Sequence, residues 1–357
     1  MTKIHNFSAG PAILPQSVMK EAGAACVNFQ DMGLSILEIS HRSPQFSAVL
    51  EEAEALVREL LNVGDDYGVL FLQGGASSQF FMAPMNLLGT NDTAAYIETG
   101  TWATKAIKEA KKFGQVANVA SSKEDNFTHI PKEFELPDSC KYLHITSNNT
   151  VRGTQYAEIP NVAMPLVCDA SSDIFSRPMD VSKFDIIYAG AQKNMGPAGV
   201  TLVIARKDAL GKIERDIPTM LDYRTHIEKG SAFNTPPVFP IYVSMLNLRW
   251  VKENGGVAAM EKHNAEKARL MYQAIDESPL FSCPNADEDR STMSAVFVMN
   301  KPELEADFLA ACKAANCSGV KGHRSVGGFR ASMYNAMNVD SVEVLTGVMR
   351  EFTAKHA

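Results

Sequence analysis

The hydrophobic pattern of the chain alternates short apolar runs with longer amphipathic stretches. Two apolar runs, residues 185–189 and 199–205, are rich in β-forming residues and bounded by glycine, so they predict two buried strands joined by a tight connection. Further runs predict strands at 66–72, 94–98, 140–147 and 165–168. Amphipathic patterns between the runs predict helices at about 17–28, 45–61, 78–88, 102–113 and 241–254. This alternation is typical of an α/β protein in which helices cover a sheet.

The last third of the chain has a pattern of its own. A very long helical pattern at 257–277 is expected to bend into a second domain, and it is followed by a strand at 294–299 and helices at 301–316 and up to 355. We therefore expect a large domain at 16–258, and a smaller α+β domain formed by 1–15 and 259–357. The proline-bound stretch 220–240 has no clear periodicity and predicts an ordered loop.

Composition narrows the class of protein. The 357 residues are 45% hydrophobic and carry a net charge of −7 with Lys and Arg interleaved among acids, so we expect no nucleic-acid partner. No run is long enough to span a bilayer and the N-terminus lacks a secretion signal, so we expect a soluble protein. The six cysteines are scattered without metal-binding spacing, which predicts no metal site, no disulfide framework and a reducing cytoplasm.

Lys193 lies between the two central strands and has two interpretations. It is either a solvated loop lysine or a partly desolvated amine, whose lowered pKa would make it nucleophilic near neutrality. Asp169 favours the second, because it follows another apolar run. A strand-end aspartate and a strand-end lysine are the pair that a pyridoxal phosphate (PLP) enzyme needs. The aspartate carboxylate keeps the ring nitrogen protonated, and the lysine amine holds the aldehyde as an imine.

Other polar residues also follow predicted strands. Gly74-Gly75 with Ser77 precedes a helix and suits phosphate binding, although Gly-Gly turns are also used for steric reasons alone. Trp102 follows the next strand and either stacks on a planar ligand or packs in the core. Thr150 follows a third strand. Because open α/β sheets bind ligands at the carboxyl ends of their strands, these residues predict one active site.

Motifs spread over the chain resemble one known family. They are Phe7-Ser-Ala-Gly-Pro-Ala, Ser40-His-Arg, Gly74-Gly-Ala-Ser, Thr101-Trp, Asp169-Ala-Ser-Ser, Ala191-Gln-Lys-Asn-Met-Gly-Pro-Ala-Gly, Asn234-Thr-Pro-Pro and Gly327-Gly-Phe-Arg-Ala-Ser-Met-Tyr-Asn-Ala. With these motifs the chain resembles the phosphoserine aminotransferases, of the class V group of fold-type I PLP enzymes. The resemblance implies the fold-type I architecture, with a mostly parallel mixed sheet sandwiched by helices and a smaller C-terminal α+β domain. It covers essentially the whole chain.

The resemblance also implies roles for the cofactor residues. Lys193 would hold PLP and shuttle the proton, and Asp169 would pair with the pyridine nitrogen. Trp102 would stack on the ring, and Thr150 would bond near its phenolic oxygen. The phosphate contacts implied are Ala76, Ser77 and Gln192, together with Asn234 and Thr235 reaching the neighbouring subunit of a homodimer that shares its active sites.

The implied substrates carry two anionic groups each. Arg330 would anchor the α-carboxylate with a bidentate guanidinium. The side-chain phosphate or γ-carboxylate would be held by His41, Arg42, His323 and Arg324, the last two donated across the dimer. Some family members have an arginine in the Gly-Gly loop where this chain has Ala76-Ser77, so the phosphate pocket must rely on the other cations or be less positive.

The implied reaction moves the amino group between glutamate and 3-phosphohydroxypyruvate, giving 2-oxoglutarate and phosphoserine in serine synthesis. In some bacteria the family also aminates 3-hydroxy-2-oxo-4-phosphooxybutanoate for pyridoxine synthesis. The nearest rival, a cysteine desulfurase, would have histidine where this chain has Gln192, and its catalytic cysteine could be only Cys317, since Cys312 falls in a helical pattern. An alanine–glyoxylate type transaminase would have little use for His323-Arg324. A non-catalytic PLP-binding scaffold would be expected to have lost Lys193 or Asp169.

Overall fold

The computed structural model describes residues 3–357. The strands, in chain order, are β1 (His5–Asn6), β2 (Tyr67–Leu72), β3 (Thr93–Glu98), β4 (Gln115–Ser121), β5 (Cys140–Thr146), β6 (Asn148–Asn149), β7 (Thr154–Gln155), β8 (Leu166–Asp169), β9 (Phe184–Gly190), β10 (Thr201–Arg206), β11 (Phe281–Ser282), β12 (Ser294–Met299), β13 (Cys317–Ser318) and β14 (Phe329–Ser332). The α-helices are α1 (Gln16–Ala25), α2 (Pro44–Leu61), α3 (Gly75–Leu87), α4 (Thr101–Ala110), α5 (Tyr223–Glu228), α6 (Val238–Glu253), α7 (Gly256–Asp276), α8 (Glu305–Ala314) and α9 (Val339–His356).

The central sheet has seven strands in the order β2-β10-β9-β8-β5-β3-β4. Neighbours from β9 to β4 pair in parallel, whereas β10 pairs antiparallel with both β9 and β2. The predicted mostly parallel mixed sheet is therefore confirmed, and so are the two buried strands on either side of Lys193. The carboxyl ends of β3, β5, β8 and β9 meet at one edge.

Both faces of the sheet are buried, which explains the nearly continuous apolar runs of its strands. Along β10, Leu202 and Ile204 join one core while Val203 and Ala205 join the other. The first core is closed by helices α1, α2 and α6, and the second by α3, α4 and α5. The fold-type I arrangement of a sheet sandwiched by helices follows from this alternation.

A separate hydrophobic core lies under the last third of the chain. It is built from helices α7 to α9 and the small antiparallel sheet β11-β12-β14. Phe7, which is fully buried, joins this core from the N-terminal segment, and β1 pairs with β13 beside it. The division at 16–258 and 259–357 stays a prediction, which these separate cores support. Residues 1 and 2 of the segment assigned to the smaller domain lie outside the described residues.

Several element bounds differ from the prediction for physical reasons. Helix α2 begins at Pro44, because Ser43 caps it by accepting a hydrogen bond from the Phe46 amide at 3.3 Å. Helix α3 begins at Gly75 instead of residue 78. The predicted loop 220–240 contains helix α5. Strand β4 was not predicted because this edge strand has no buried residue and interrupts its Val-Ala pairs with polar residues. The long helix α7 runs without a break from Gly256 to Asp276.

Candidate active site

One cavity of about 360 Å³ lies at the carboxyl edge of the central sheet. Its walls come from the ends of β5 and β8, the β9–β10 connection, the first turn of α3, the N-terminal segment and the β14 region. The predicted site residues that line it are Ala76, Ser77, Trp102, Thr150, Asp169, Gln192, Lys193, His323 and Arg330. The structure therefore brings most of the predicted set together in one place.

Lys193 projects from the tight connection after β9. Its amine donates a 2.7 Å hydrogen bond to Oγ1 of Thr150, and its accessible surface faces the cavity that it lines. Burial lowers the pKa of Lys193 to about 8, the charge of Arg330 lowers it further, and Asp169 opposes the shift. A sizeable fraction of the amine is therefore neutral near pH 8, which supports the interpretation as a partly desolvated amine.

Asp169 ends β8 and is almost fully buried. The Ser171 amide donates to its Oδ1 at 3.0 Å, and no described residue donates a hydrogen bond to Oδ2. Burial raises the pKa of Asp169, against the opposing effects of the Ser171 hydrogen bonds and of Lys193. A carboxylate in this position is desolvated and has one oxygen available for a cationic or N–H donor in the cavity.

Trp102 forms a side wall at the start of α4. Its ring packs at a tilt on Phe80, with ring centroids 6.5 Å apart, and the Lys105 amine lies 4.4 Å from the indole centroid. Its Nε1 is buried and has no hydrogen-bond partner among the described residues. An indole held this way offers a flat surface to a planar ligand.

The first turn of α3 supplies backbone donors. Gly74 and Gly75 have φ of 93° and 67°, a region that favours glycine, and a Cβ on Gly74 would collide with Ser78. Ala76 and Ser77 follow at the helix N-terminus, and the first turn carries no acidic residue. The free N–H groups of this turn suit an anion such as phosphate.

Cations lie on the opposite side of the cavity. Arg330 on β14 donates from Nη1 to the Thr150 carbonyl at 3.2 Å, while its buried Nε has no partner among the described residues. Burial lowers the pKa of Arg330. Burial also lowers the pKa of His323, and positive charges around it, led by Arg330 and Arg324, lower it further. Within residues 3–357, none of these three side chains forms an ion pair with an acid.

Five predicted site residues do not line this cavity. Asn234 and Thr235 lie on the other side of the Gly74 turn, where Asn234 lines a cavity of about 230 Å³. Asn234 Nδ2 is there 3.4 Å from Gln73 Oε1. His41 and Arg42 lie on the turn before α2, and Arg42 is exposed. Arg324 is also exposed beside His323.

His323 lines the cavity of its own chain. Its donation across a dimer, which the resemblance implies, stays a prediction. The 322–328 loop folds back onto β14 next to Arg330. A Cβ at residue 322 would collide with the backbone of Gly327 and Gly328, so this packing needs the glycine at that position.

The sequence interpretation missed several residues near the cavity. Ala9 and Gly10 line it, and a Cβ on Gly10 would lie 3.4 Å from Lys193 Cγ. Lys105 lies over Trp102, and Arg152 follows Thr150 in the same loop. The Gly10-Pro11 step was a usable signal, since it marks a defined backbone, whereas an exposed helix lysine and a loop arginine carry no such signal.

Comparisons with known proteins agree with this geometry. The family model described as aminotransferase class-V matches residues 4–345. The chain belongs to the class-V aminotransferases. This class-V aminotransferase is 58% identical over 354 residues to phosphoserine aminotransferase from Flavobacterium johnsoniae, covering 99% of each chain. It is also 58% identical over 356 residues to phosphoserine aminotransferase from Parabacteroides distasonis, covering 99% of this chain and 100% of the relative.

Solved structures give the same result for the fold of this class-V aminotransferase. The phosphoserine aminotransferase from Bacillus circulans subsp. alkalophilus is 45% identical, with a TM-score of 0.96 and 99% of both chains covered. The PLP-bound phosphoserine aminotransferase from Trichomonas vaginalis is 36% identical, with a TM-score of 0.93, covering 98% of this chain and 100% of the other.

The desulfurase alternative lacks a nucleophile in the site. No cysteine is among the residues that line the cavity. Cys312 lies in α8, where burial raises its pKa to about 12, and burial raises the pKa of Cys317 to about 11.

In the part of the chain that the structure describes, His, Cys, Asp and Glu form no group of three suited to a metal ion. Among the same residues, no helix is both long and apolar enough to cross a bilayer.

Proposed function

We propose that this class-V aminotransferase is a PLP-dependent transaminase that interconverts L-phosphoserine plus 2-oxoglutarate and 3-phosphohydroxypyruvate plus L-glutamate. The observation that carries the proposal is the joint placement of Lys193, Asp169, Arg330 and His323 in one cavity. The full-length likeness to relatives named phosphoserine aminotransferase supports the substrate.

The cavity fits PLP in its chemistry. The free Oδ2 of Asp169 can accept the pyridinium N–H, and the indole of Trp102 supplies a flat wall. The α3 turn with Ala76 and Ser77 supplies donors for a phosphate, and Gln192 lies beside it in the lining. When bound, PLP stabilises negative charge at the α-carbon of an amino acid.

Lys193 is suited to carry the cofactor and then the proton. Because desolvation lowers its pKa to about 8, the amine can be neutral and nucleophilic near neutrality. Once free, the same amine can take a proton from the substrate α-carbon and return it to the acceptor carbon. Thr150 holds Nζ at 2.7 Å and so orients it.

The negative charge of Asp169 supports this proton transfer by stabilising a protonated ring nitrogen. Its buried carboxylate faces the cavity while Ser171 holds Oδ1. A fixed negative charge in a desolvated place stabilises a protonated ring nitrogen more strongly than water would.

Arg330 and His323 give the substrate its orientation. The guanidinium of Arg330 reaches the loop that holds the Lys193 amine, so a carboxylate bound there places its α-carbon near that amine. His323 extends the cationic side for a second anion, with Arg324 next to it. This arrangement suits donors with two separated anionic groups.

A homodimer with shared active sites completes the proposal. Asn234, Thr235, His41 and Arg42 lie outside the cavity of their own chain, so a second copy is needed for them to act on a ligand. Large exposed apolar residues lie close to them in sequence, namely Met32, Leu34, Leu37, Met220 and Phe233. Exposed apolar surface of this kind is typical of an interface.

The remaining parts of the proposal concern the cellular compartment and a second substrate. All six cysteines are free, which fits a reducing cytoplasm. The proposal includes 3-hydroxy-2-oxo-4-phosphooxybutanoate, an acid of pyridoxine synthesis, as a second substrate, because its phosphate would meet the same cationic side of the cavity.

A half-reaction with purified protein tests the proposal. Mixing the yellow holoenzyme with L-phosphoserine, without keto acid, should bleach the visible band, and 2-oxoglutarate should restore it. A Lys193→Ala variant should remain folded and fail to turn over. Bleaching by another amino donor but not by phosphoserine would keep the transaminase and reject the substrate, and a protein without colour would reject PLP chemistry.

A further inference from the structure

Arg152 lies on the loop that organises the candidate site. Thr150, two residues earlier, holds the Lys193 amine, and Val151 lines the cavity. Two residues of chain span at most about 7 Å, so the backbone of Arg152 lies close to the cavity, although Arg152 itself is not among the residues that line it. Sequence and family resemblance assign this residue no role.

The guanidinium of Arg152 is half-buried and has no hydrogen-bond or ion-pair partner among the described residues. Within residues 3–357 none of its nitrogens donates a hydrogen bond, no carboxylate forms an ion pair with it, and its Nε is fully shielded from solvent. Burial lowers the pKa of Arg152, which reflects the cost of holding this charge. The other arginines without a hydrogen-bond acceptor in the described chain, Arg42, Arg324 and Arg350, are exposed. Arg152 is therefore a charge that an anion would stabilise.

The surroundings of Arg152 hold it in place. Its carbonyl accepts a 2.8 Å hydrogen bond from Asn285 Nδ2, which also donates to the Gly153 carbonyl at 2.9 Å. The guanidinium carbon lies 5.8 Å from the centroid of the buried Phe127 ring. The Arg152 backbone is therefore fixed, so ligand binding would order only its side chain.

The charge around Arg152 is positive. Arg330, Arg324, Lys105 and Arg152 all act on His323, which lines the cavity. None of these four cations is paired with an acid in the described part of the chain. Of these four cations only Arg330 lines the cavity, and the positive charge around His323 favours a dianion over a monoanion.

We infer that Arg152 is a specificity-determining residue that binds the substrate's phosphate together with His323, and so favours the phosphorylated donor over glutamate. The inference rests on the proposed function, because it assigns the phosphate of that substrate. It separates two anchors: Arg330 serves the carboxylate that all donors share, and Arg152 serves the group by which they differ.

The test compares Arg152→Gln with wild-type holoenzyme in the two half-reactions. Loss of a charged hydrogen bond should lower kcat/KM for L-phosphoserine about 10- to 100-fold. The value for L-glutamate should fall by less than about 3-fold. Inorganic phosphate, used as an inhibitor of the glutamate half-reaction, should show a Ki about 10-fold higher in the variant, which reports binding without phosphoserine turnover.

Matched variants keep the result interpretable. Arg350→Gln removes an exposed arginine on α9 that also has no acceptor, and it should leave every value unchanged. Arg152→Lys keeps the charge but loses the planar fork, so an intermediate loss of about 3- to 10-fold is expected for phosphoserine. If Arg152→Gln does not fold, Arg152→Lys alone decides the question by that selective loss.

Several outcomes would overturn the inference. Equal losses for both donors, an unchanged Ki for phosphate, or loss of the native oligomer as the only effect would show that Arg152 does not select the phosphate. A wild-type enzyme that reacts with glutamate but not with phosphoserine would instead reject the proposed function itself. The two failures are distinguishable because the second appears before any variant is made.

Discussion

The lowered pKa of Lys193 has a consequence for stability that can be measured without turnover. Replacing Lys193 by Met in the cofactor-free protein removes the titrating amine and keeps an apolar side chain of similar length. In the folded protein the pKa falls from the ordinary value of 10.5 to about 8, mainly because of burial. The unfolded chain keeps a value near 10.5, so the folded state disfavours the protonated amine.

The sign and size of the effect follow from this difference. Below pH 8 the amine is protonated in both states, and the full penalty on the folded state applies. Between pH 8 and 10.5 the folded protein releases its proton before the unfolded chain does, so stability rises with pH. A shift of this size corresponds to about 3 kcal/mol.

Urea unfolding of both proteins at fixed protein concentration would measure the effect. The free energy of unfolding of wild type, minus that of Lys193→Met, should increase by about 3 kcal/mol from pH 7.5 to 10.5. Taking the difference removes contributions common to both proteins, including that of Lys267, whose pKa burial also lowers. Lys108→Met, on the exposed face of α4, is the control. A difference that stays flat within about 0.5 kcal/mol would refute the desolvated amine.

The central sheet and the cofactor side of the site were predictable because they follow local patterns. Strands buried on both faces read as continuous apolar runs, and β9 and β10 were identified that way. Residues placed directly after such runs must meet at one edge of a parallel sheet. Asp169, Lys193, Trp102 and Thr150 share the cavity for that reason.

The rest depends on contacts that the local pattern does not contain. The edge strand β4 has no buried residue, so it lacks a continuous apolar run, and α5 is too short to show a period. The place of His323 depends on how the 322–328 loop folds back on β14, which is a tertiary property. An unpaired charge such as Arg152 is recognisable only when the positions of all possible acceptors are known.

Three further substitutions separate the roles in the site. Asp169→Ala should raise the activation free energy for kcat by at least ~3 kcal/mol and leave KM nearly unchanged. Steady-state kinetics with saturating PLP would measure this, and near-normal rates would reject the pairing role of Asp169. Arg330→Gln should raise KM for phosphoserine and glutamate alike, by about 10- to 100-fold, and a selective effect on one donor would contradict a carboxylate anchor. Gly10→Ala tests the N-terminal segment, because Gly10 has φ of 135° and its new Cβ would lie 3.4 Å from Lys193 Cγ. The strain should cost about 1–3 kcal/mol in urea unfolding and should also slow turnover, since relief requires this segment to move away from Lys193. Gly23→Ala, in the last turn of α1 with no atom within 4 Å of its new Cβ, should instead stabilise by roughly 0.5–1 kcal/mol and leave turnover unchanged. If both alanine variants behave alike, the close approach of the segment to Lys193 does not constrain the site.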